Sequence, residues 1–204
     1  MKSLSEIDTT SKRASRAAGF SWGVSEEIGK SIKLLELFGL QGVKTLNQYY
    51  QTKPNQKYEN LSLINEKNIS EKNLYCPLIL GISFLDQIKS IEKFKTIIFN
   101  KVAFPLLMIP FLSRSSEIIG KKIHVKFSNI EFLLNLNVNI SSNILNKNCP
   151  IIAENLEVRF LENEDSFSDE EWKNLYKLSE ETFVEETDSL KEGAAGAGLT
   201  DNDW

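Results

Sequence analysis

A stretch of fourteen residues, from Ala17 to Lys30, constrains the fold of this chain most strongly. It reads Ala-Ala-Gly-Phe-Ser-Trp-Gly-Val-Ser-Glu-Glu-Ile-Gly-Lys, so that two glycines enclose an aromatic pair between two segments with helical periodicity. Glycine permits the positive dihedral angles of a tight turn, and a glycine after a periodic segment is typical of a helix end. The stretch therefore predicts the connector of a helical hairpin.

The first helix of this hairpin has a recognisable start. Ser3 followed by Glu6 matches a capping box, in which the two side chains satisfy the first free amides of a helix. Apolar and small residues then recur at helical spacing up to Gly19. The small residues on this face predict close approach of the second helix.

The second helix is expected to begin after Gly23, with Ser25 or Val24 near its cap. This places Glu26-Glu27 in its first turn, where the helix dipole favours carboxylates. Gly39 is expected to end the helix, and a shorter helix is predicted over residues 43–50.

The rest of the chain contains both helices and strands. Residues 51–73 are polar and predict a long loop or insertion, and helices are expected after Pro77 and over 110–119. Alternating apolar residues predict three strands in an antiparallel sheet, over residues 121–127, 131–140 and 151–161. A second capping box, Ser168 with Glu171, starts a C-terminal acidic helix, which a Gly/Ala-rich tail over 192–204 follows.

These patterns predict an α+β fold, in which an N-terminal helical hairpin packs with an antiparallel β-sheet and a C-terminal acidic helix. A length of 204 residues, of which 41% are hydrophobic, suits a single domain over 1–204. The charge is unevenly distributed, since residues 161–204 carry fourteen acids and three lysines. Such a segment is typical of a solvated acidic helix, and the alternative is an acidic surface that binds a partner.

Composition argues against several classes of function. The basic residues are scattered, which argues against binding of nucleic acid, and no apolar run approaches the ~20 residues that span a membrane. Cys76, Cys149 and the lone His124 have no metal-ligand or disulfide spacing, so no metal is expected and the sequence names no cofactor. We expect a cytoplasmic protein, because the polar N-terminus does not resemble a secretory signal.

The connector itself is a candidate binding site for an anion. Ser21, Trp22 and Gly23 precede helix amides that can bind a carboxylate or phosphate, and Glu27 and Lys30 are candidate catalytic acid and base groups. In the alternative interpretation the aromatic pair only staples the hairpin, and Glu26 forms a surface ion pair with Lys30.

Two further stretches contain candidate ligand-binding residues. Arg114 lies among three serines and could bind an anion, although an ordinary helix surface explains it equally well. In the tail, Thr200, Asp201, Asn202 and Asp203 offer oxygen ligands beside glycines that allow close backbone approach. The alternatives for the tail are a disordered segment, or one docked on its own or a neighbouring subunit.

The connector and the tail together resemble a bacterial domain family of unknown function. The resemblance rests on Gly19-Phe-Ser-Trp-Gly-Val-Ser-Glu-Glu-Ile-Gly-Lys30 and on Gly196-Ala-Gly-Leu-Thr-Asp-Asn-Asp203, and it implies no known activity. We therefore consider two hypotheses. The first is an enzyme or enzyme subunit that acts on a small anionic metabolite, in a site where Ser21–Lys30 and Thr200–Asp203 meet. The second is a non-catalytic accessory or assembly subunit, which forms a homo-oligomer or binds a partner subunit.

Overall fold

A computed structural model describes residues 2–135, 137–144 and 149–183 of the chain. The chain divides into two compact units, Met1–Asn163 and Glu164–Trp204. No described helix is both long enough and apolar enough to cross a membrane. The tail motif Thr200–Asp203 lies outside the described residues, so the predicted meeting of the two motifs stays a prediction.

The first unit contains five α-helices and eight strands among its described residues. The helices are α1 (Leu4–Ala17), α2 (Trp22–Leu37), α3 (Gly42–Thr52), α4 (Pro77–Ile91) and α5 (Ile109–Ile119). The strands are β1 (Tyr58–Glu59), β2 (Lys67–Asn68), β3 (Leu74–Tyr75), β4 (Thr96–Ala103), β5 (Lys122–Phe127), β6 (Ile130–Leu134), β7 (Ile140–Ser142) and β8 (Ile152–Leu161). Short 3₁₀ turns, Lys53–Asn55 and Pro105–Met108, follow α3 and precede α5.

The strands form one mixed sheet in the order β1-β3-β4-β8-β5-β6-β7, with β2 also paired to β4. The pairs that join β8, β5, β6 and β7 are antiparallel, as expected. The pair of β8 with β4 is also antiparallel, but the sequence did not predict β4. The pairs that involve β1, β2 and β3 are parallel, which the sequence did not predict. Residues 51–73 are thus irregular over most of their length but contribute two short strands to the sheet.

The α+β fold class is confirmed, and so are the capping boxes at Ser3 and Ser168. The hydrophobic core of the first unit includes the inward residues of the sheet and the buried faces of α4 and α5. Alternation sets the inward residues, as in β5, where Ile123, Val125 and Phe127 are buried.

One predicted strand is in fact two. Residues 131–140 were expected to form a single strand, but β6 ends at Leu134 and β7 begins at Ile140, and these two residues pair with each other. The side chain of Asn135 accepts a hydrogen bond from the backbone amide of Asn137 at 3.1 Å, and Val138 adopts a positive φ of 55°. Asparagine side chains compete with the ladder for backbone amides, so the chain turns here.

The helical hairpin is held by close contact between α1 and α2. Ser11 and Ser15 of α1 are buried, and a Cβ atom added to Gly29 of α2 would lie 2.8 Å from the backbone oxygen of Asp8. This close approach agrees with the small inner face expected for the first helix.

The second unit contains helix α6 (Asp169–Glu180) among its described residues. Ser168 caps it through the amide of Glu171, and its first turn carries three acids. Within this unit the rings of Phe167 and Trp172 stack with centroids 5.5 Å apart.

Candidate functional site

The connector between α1 and α2 is a turn that ends in a serine cap. Gly19 has a φ of 95°, a conformation that other residues rarely adopt, and Ser21 accepts a hydrogen bond from the amide of Val24 at 3.4 Å. Helix α2 therefore begins at Trp22, and the expected start after Gly23 was wrong. Ser21 is the earlier of two serines that could cap the helix, and Ser25 is instead fully buried.

The shifted start changes the position of the acidic pair. Helix α2 has no acidic residue in its first turn, so Glu26 and Glu27 lie in the second turn and not in the first as expected. The predicted ion pair between Glu26 and Lys30 is also replaced, because Glu26 accepts a hydrogen bond from Lys12 at 2.6 Å. The positive end of the α2 dipole thus has no carboxylate of its own helix beside it.

Two cations hold the backbone of the connector. Arg16 donates to the carbonyl oxygen of Phe20 at 2.9 Å, and Lys53 donates to the carbonyl oxygen of Ala18 at 2.5 Å. The Lys53 ammonium also lies 4.2 Å from the centroid of the Phe20 ring, and the Arg16 guanidinium lies 5.5 Å from that of Trp22. Both cations therefore combine a carbonyl contact with an aromatic face.

The aromatic pair is divided between core and surface. Phe20 is 9% exposed and belongs to the hydrophobic core, whereas Trp22 is 57% exposed. Only Phe20 therefore staples the hairpin through burial, and Trp22 contributes through its contacts with the basic residues of α1.

A cleft of about 470 Å³ opens beside the connector, and we call it the connector cleft. Its described lining comes from the connector and start of α2, from α3 and the segment after it, and from the start of α4: Gly19, Phe20, Ser21, Val24, Tyr49, Lys53, Gln56, Tyr58, Asn60, Cys76 and Ile79. Among these residues Lys53 is the only one with a charged side chain. The described wall is therefore positive, and it lies at the N-terminal end of α2.

Tyrosines and a thiol form one wall of the connector cleft. The hydroxyl of Tyr49 lies 3.2 Å from the sulfur of Cys76, and the hydroxyl of Tyr58 lies 3.0 Å from Oγ1 of Thr52. Burial raises the pKa of both phenols, so both are neutral at neutral pH. Cys76 is buried, and its contact with Tyr49 gives it a polar partner.

Glu27, Lys30 and Arg114 form a separate ion cluster that joins α2 to α5. Lys30 donates to one carboxylate oxygen of Glu27 at 2.7 Å, and Arg114 donates to the other. Burial alone would raise the pKa of Glu27, but the hydrogen bonds from Lys30 and Arg114 outweigh burial and lower it. Glu27 is therefore ionised at neutral pH.

The predicted site residues thus fall into groups. Ser21 lines the connector cleft, Trp22 and Gly23 form the adjoining first turn of α2, and neither Glu27, Lys30 nor Arg114 is among the described lining residues. Glu27 lies only one helical turn after Val24, which does line the cleft. The described residues contain no group of three or more His, Cys, Asp or Glu side chains that could hold a metal ion.

The sequence did not predict the lining residues that come from outside the helical hairpin. Tyr49, Lys53, Gln56, Tyr58 and Asn60 come from α3 and the polar segment after it, which was interpreted as a loop or insertion. A possible signal was their spacing, because a cation and aromatic residues recur there among polar residues. These residues approach the connector because α3 packs against α2, and a local sequence pattern does not predict this tertiary contact.

Comparison with known proteins gives one similarity. Residues 2–75 match a family described as a protein of unknown function, DUF3726. The matched part includes every described residue of the connector cleft except Cys76 and Ile79, which lie just after it in α4 and its cap. No curated protein and no solved structure matches the chain.

Proposed function

We propose that the protein binds a small anionic metabolite in the connector cleft, as an enzyme or as a subunit of one. The observation that carries the proposal is the positive charge of the cleft. Among its described lining residues Lys53 is the only charged one, and the cleft lies at the start of α2, whose first turn contains no acidic residue. The first amides of a helix have no intrahelical partner, and together with the dipole they favour a bound anion.

Lys53 is proposed as the cation that contacts the ligand. An ammonium has three donors, and one of them is directed to the carbonyl oxygen of Ala18. The remaining donors can reach a carboxylate or phosphate in the cleft without loss of the connector contact. The hydroxyl of Ser21, which lines the cleft, and the amides of the adjoining Trp22 and Gly23 are proposed as the neutral donors.

The ion cluster of Glu27, Lys30 and Arg114 is proposed to fix α2 against α5 and thereby to maintain the geometry of the cleft. Because the pKa of Glu27 is lowered, the carboxylate has no proton to donate at neutral pH, and both its oxygens already accept from cations. A role as general acid is therefore disfavoured for Glu27. Lys30 stays a candidate for proton transfer or for charge stabilisation, since its side chain is 57% exposed.

Thermal-shift screening with inorganic phosphate, phosphate esters and small dicarboxylates tests the proposal. A ligand at 100 times its dissociation constant stabilises the folded state by about 2.7 kcal/mol, which raises Tm by several degrees. Lys53→Met should weaken binding about tenfold or more, since a hydrogen bond to a charged group is lost. Lys57→Met is the matched control, because Lys57 is an exposed lysine of the same segment and is not among the described lining residues.

Alkylation of Cys76, a buried residue of the cleft wall, reports whether the bound ligand keeps that wall closed. A ligand in the connector cleft should slow the reaction of Cys76 with iodoacetamide, as measured by peptide mass spectrometry. Cys149 is an internal control, because it lines a different cavity beside Gln41 and Phe104. If no anion shifts Tm, or if Lys53→Met and Lys57→Met bind an anion equally well and Cys76 stays unprotected, the proposal is wrong.

A second candidate function, self-assembly, is supported by a groove along α1. The groove measures about 450 Å³ and is lined by Lys2, Glu6, Ile7, Thr10, Ser11, Glu36 and Val43. Its aliphatic lining residues are the half-buried Ile7 and Val43, which is 45% exposed, and contact with a second copy would remove both from water. Sedimentation velocity over a range of concentrations tests this, with Val43→Glu expected to abolish association and Leu63→Glu, at 66% exposure, as control. A monomer at every concentration would exclude self-assembly.

A further inference from the structure

One side of the connector cleft is formed by a tyrosine and two side-chain amides. Gln56, Tyr58 and Asn60 alternate along an extended segment that includes β1, and Gln56 itself has extended dihedral angles. In an extended chain, residues two apart point to the same side. This explains why all three line the cleft, whereas Lys57 and Glu59 between them do not.

Tyr58, which lies between Gln56 and Asn60 in the chain, has contacts that fix both its hydroxyl and its ring. Its hydroxyl lies 3.0 Å from Oγ1 of Thr52, and its ring lies 5.1 Å from that of Tyr49. Tyr49 is itself fixed, because its ring packs edge-on against Phe104 at 5.8 Å and its hydroxyl contacts Cys76. A ring held in this way offers a face on which a flat ligand can stack without further ordering of the protein.

The side-chain amides of Gln56 and Asn60 are available for hydrogen bonds to the edge of such a ligand. Among the described residues Asn60 has no hydrogen-bond partner for its side chain, and Gln56 has one at 3.5 Å, the outer limit for such a bond. Each carries a donor and an acceptor side by side. Asparagine and glutamine use this pair to make two hydrogen bonds to the edge of a base.

From these features we infer that the ligand of the connector cleft is a mononucleotide, whose base stacks on Tyr58 between Gln56 and Asn60 and whose phosphate contacts Lys53. The inference rests on the proposed function, because it assigns the anion to the phosphate. Stacking of a base on an aromatic side chain is sequence-tolerant, so the amides select among bases and Tyr58 does not. A cleft of about 470 Å³ lies within the range usual for small-molecule sites.

Isothermal titration with a matched ligand series tests the inference. The four ribonucleoside 5′-monophosphates are compared with the free nucleosides, with ribose 5-phosphate and with inorganic phosphate. At least one mononucleotide should bind tenfold or more tightly than both ribose 5-phosphate and its own nucleoside, and it should protect Cys76 from alkylation.

Two pairs of variants separate stacking and edge recognition from folding. Tyr58→Leu should weaken mononucleotide binding about tenfold or more, since a stacking contact is lost. Tyr58→Phe keeps the ring and loses only the hydroxyl contact with Thr52, so it should lose less affinity than Tyr58→Leu. Asn60→Leu, at an exposed position, should change the preference among the four bases, and Lys57→Leu should not. Circular dichroism confirms that each variant is folded.

The outcomes distinguish this inference from the proposed function. If ribose 5-phosphate or inorganic phosphate binds as tightly as every mononucleotide and protects Cys76, the base assignment is wrong and the anion proposal stands. If a nucleoside binds as tightly as its monophosphate, the anion proposal is wrong and only the aromatic contact stands. If no member of the series protects Cys76 while a dicarboxylate does, the ligand is an anion of another class, and the inference is overturned.

Discussion

Replacement of Gly29 by alanine tests the close packing of α1 on α2, on which the position of the connector depends. A Cβ at Gly29 would lie 2.5 Å from a carboxylate oxygen of Asp8, 2.8 Å from the Asp8 backbone oxygen and 3.2 Å from the Cβ of Lys12. The carboxylate can rotate away at little cost. The backbone oxygen cannot move unless α1 itself shifts, so this contact decides the outcome.

Two opposing effects set the magnitude. Alanine is favoured over glycine inside a helix by about 1 kcal/mol. Overpacking of a well-packed interface costs about 1–3 kcal/mol, and the contact with a backbone atom places Gly29→Ala at the upper end of this range. We therefore expect a net destabilisation of about 1–2 kcal/mol, which corresponds to a fall in Tm of about 2–8 °C for a chain of this size.

Urea denaturation followed by circular dichroism measures the change in the free energy of unfolding. Gly23→Ala is the matched control, because Gly23 lies in the same helix and a Cβ there would meet no atom within 4 Å. It should leave stability unchanged or raise it slightly through the helix preference of alanine. If Gly29→Ala proves as stable as Gly23→Ala, the helices are not packed as closely as the structure has them, and the reasoning is refuted.

Three further substitutions have expected outcomes. Lys30 and Arg114 lower the pKa of Glu27, so its carboxylate stabilises the fold above its ordinary pKa of 4.5 and loses this contribution as the pH falls below that value. Glu27→Gln should therefore lose less stability than the wild type on acidification, and an equal loss would contradict the ion cluster. Ser3→Ala removes the cap of α1 and should cost about 1 kcal/mol, visible as faster amide exchange in its first turn, whereas unchanged exchange would exclude the cap. Gly120→Ala forces a side chain to a φ of 66° and should cost about 1 kcal/mol in thermal unfolding; a Tm at or above that of the wild type would contradict this conformation.

Helix ends were predicted from local chemistry, and most of them were placed correctly for that reason. Ser3 and Ser168 cap helices through a glutamate three residues later, and Gly120 ends α5 with a positive φ. These signals act within one helical turn, so the sequence contains all of the interaction. At Ser21 and Ser25 two caps compete locally, and the choice between them depends on the burial of Ser25 against the rest of the fold.

Strands whose partners are distant were harder to predict. Strand β4 lies between β3 and β8, yet its last residues, Val102 and Ala103, continue into the buried turn Pro105–Met108 without a break in the apolar run. A continuous apolar run does not distinguish strand from helix by periodicity. The two-residue strands β1 and β2 exist only through parallel pairing with distant residues, so no local pattern marks them.

The candidate site shows the same division between local and distant information. An anion site at the connector was predicted from Ser21 and its glycines, because a helix start is a local feature, and this site stays a prediction. The ion cluster was not predicted as a unit. Glu27 and Lys30 were paired candidates of one helix and Arg114 a separate one, since Arg114 reaches Glu27 only when α2 and α5 pack. Gln56 and Asn60 carry no local signal beyond their spacing about Tyr58, because an exposed amide becomes a candidate ligand contact only once the fold brings it to a cleft.

The two interpretations of the connector, staple and binding site, are compatible, because they use different atoms of the same turn. The staple uses the buried ring of Phe20 and the carbonyl oxygens of Phe20 and Ala18, to which Arg16 and Lys53 donate. An anion would use the amides at the start of α2, together with donors of Lys53 that the staple leaves over. Lys53 is therefore the residue that the two roles share. Its removal should both loosen the turn and weaken binding, whereas removal of Arg16 should only loosen the turn.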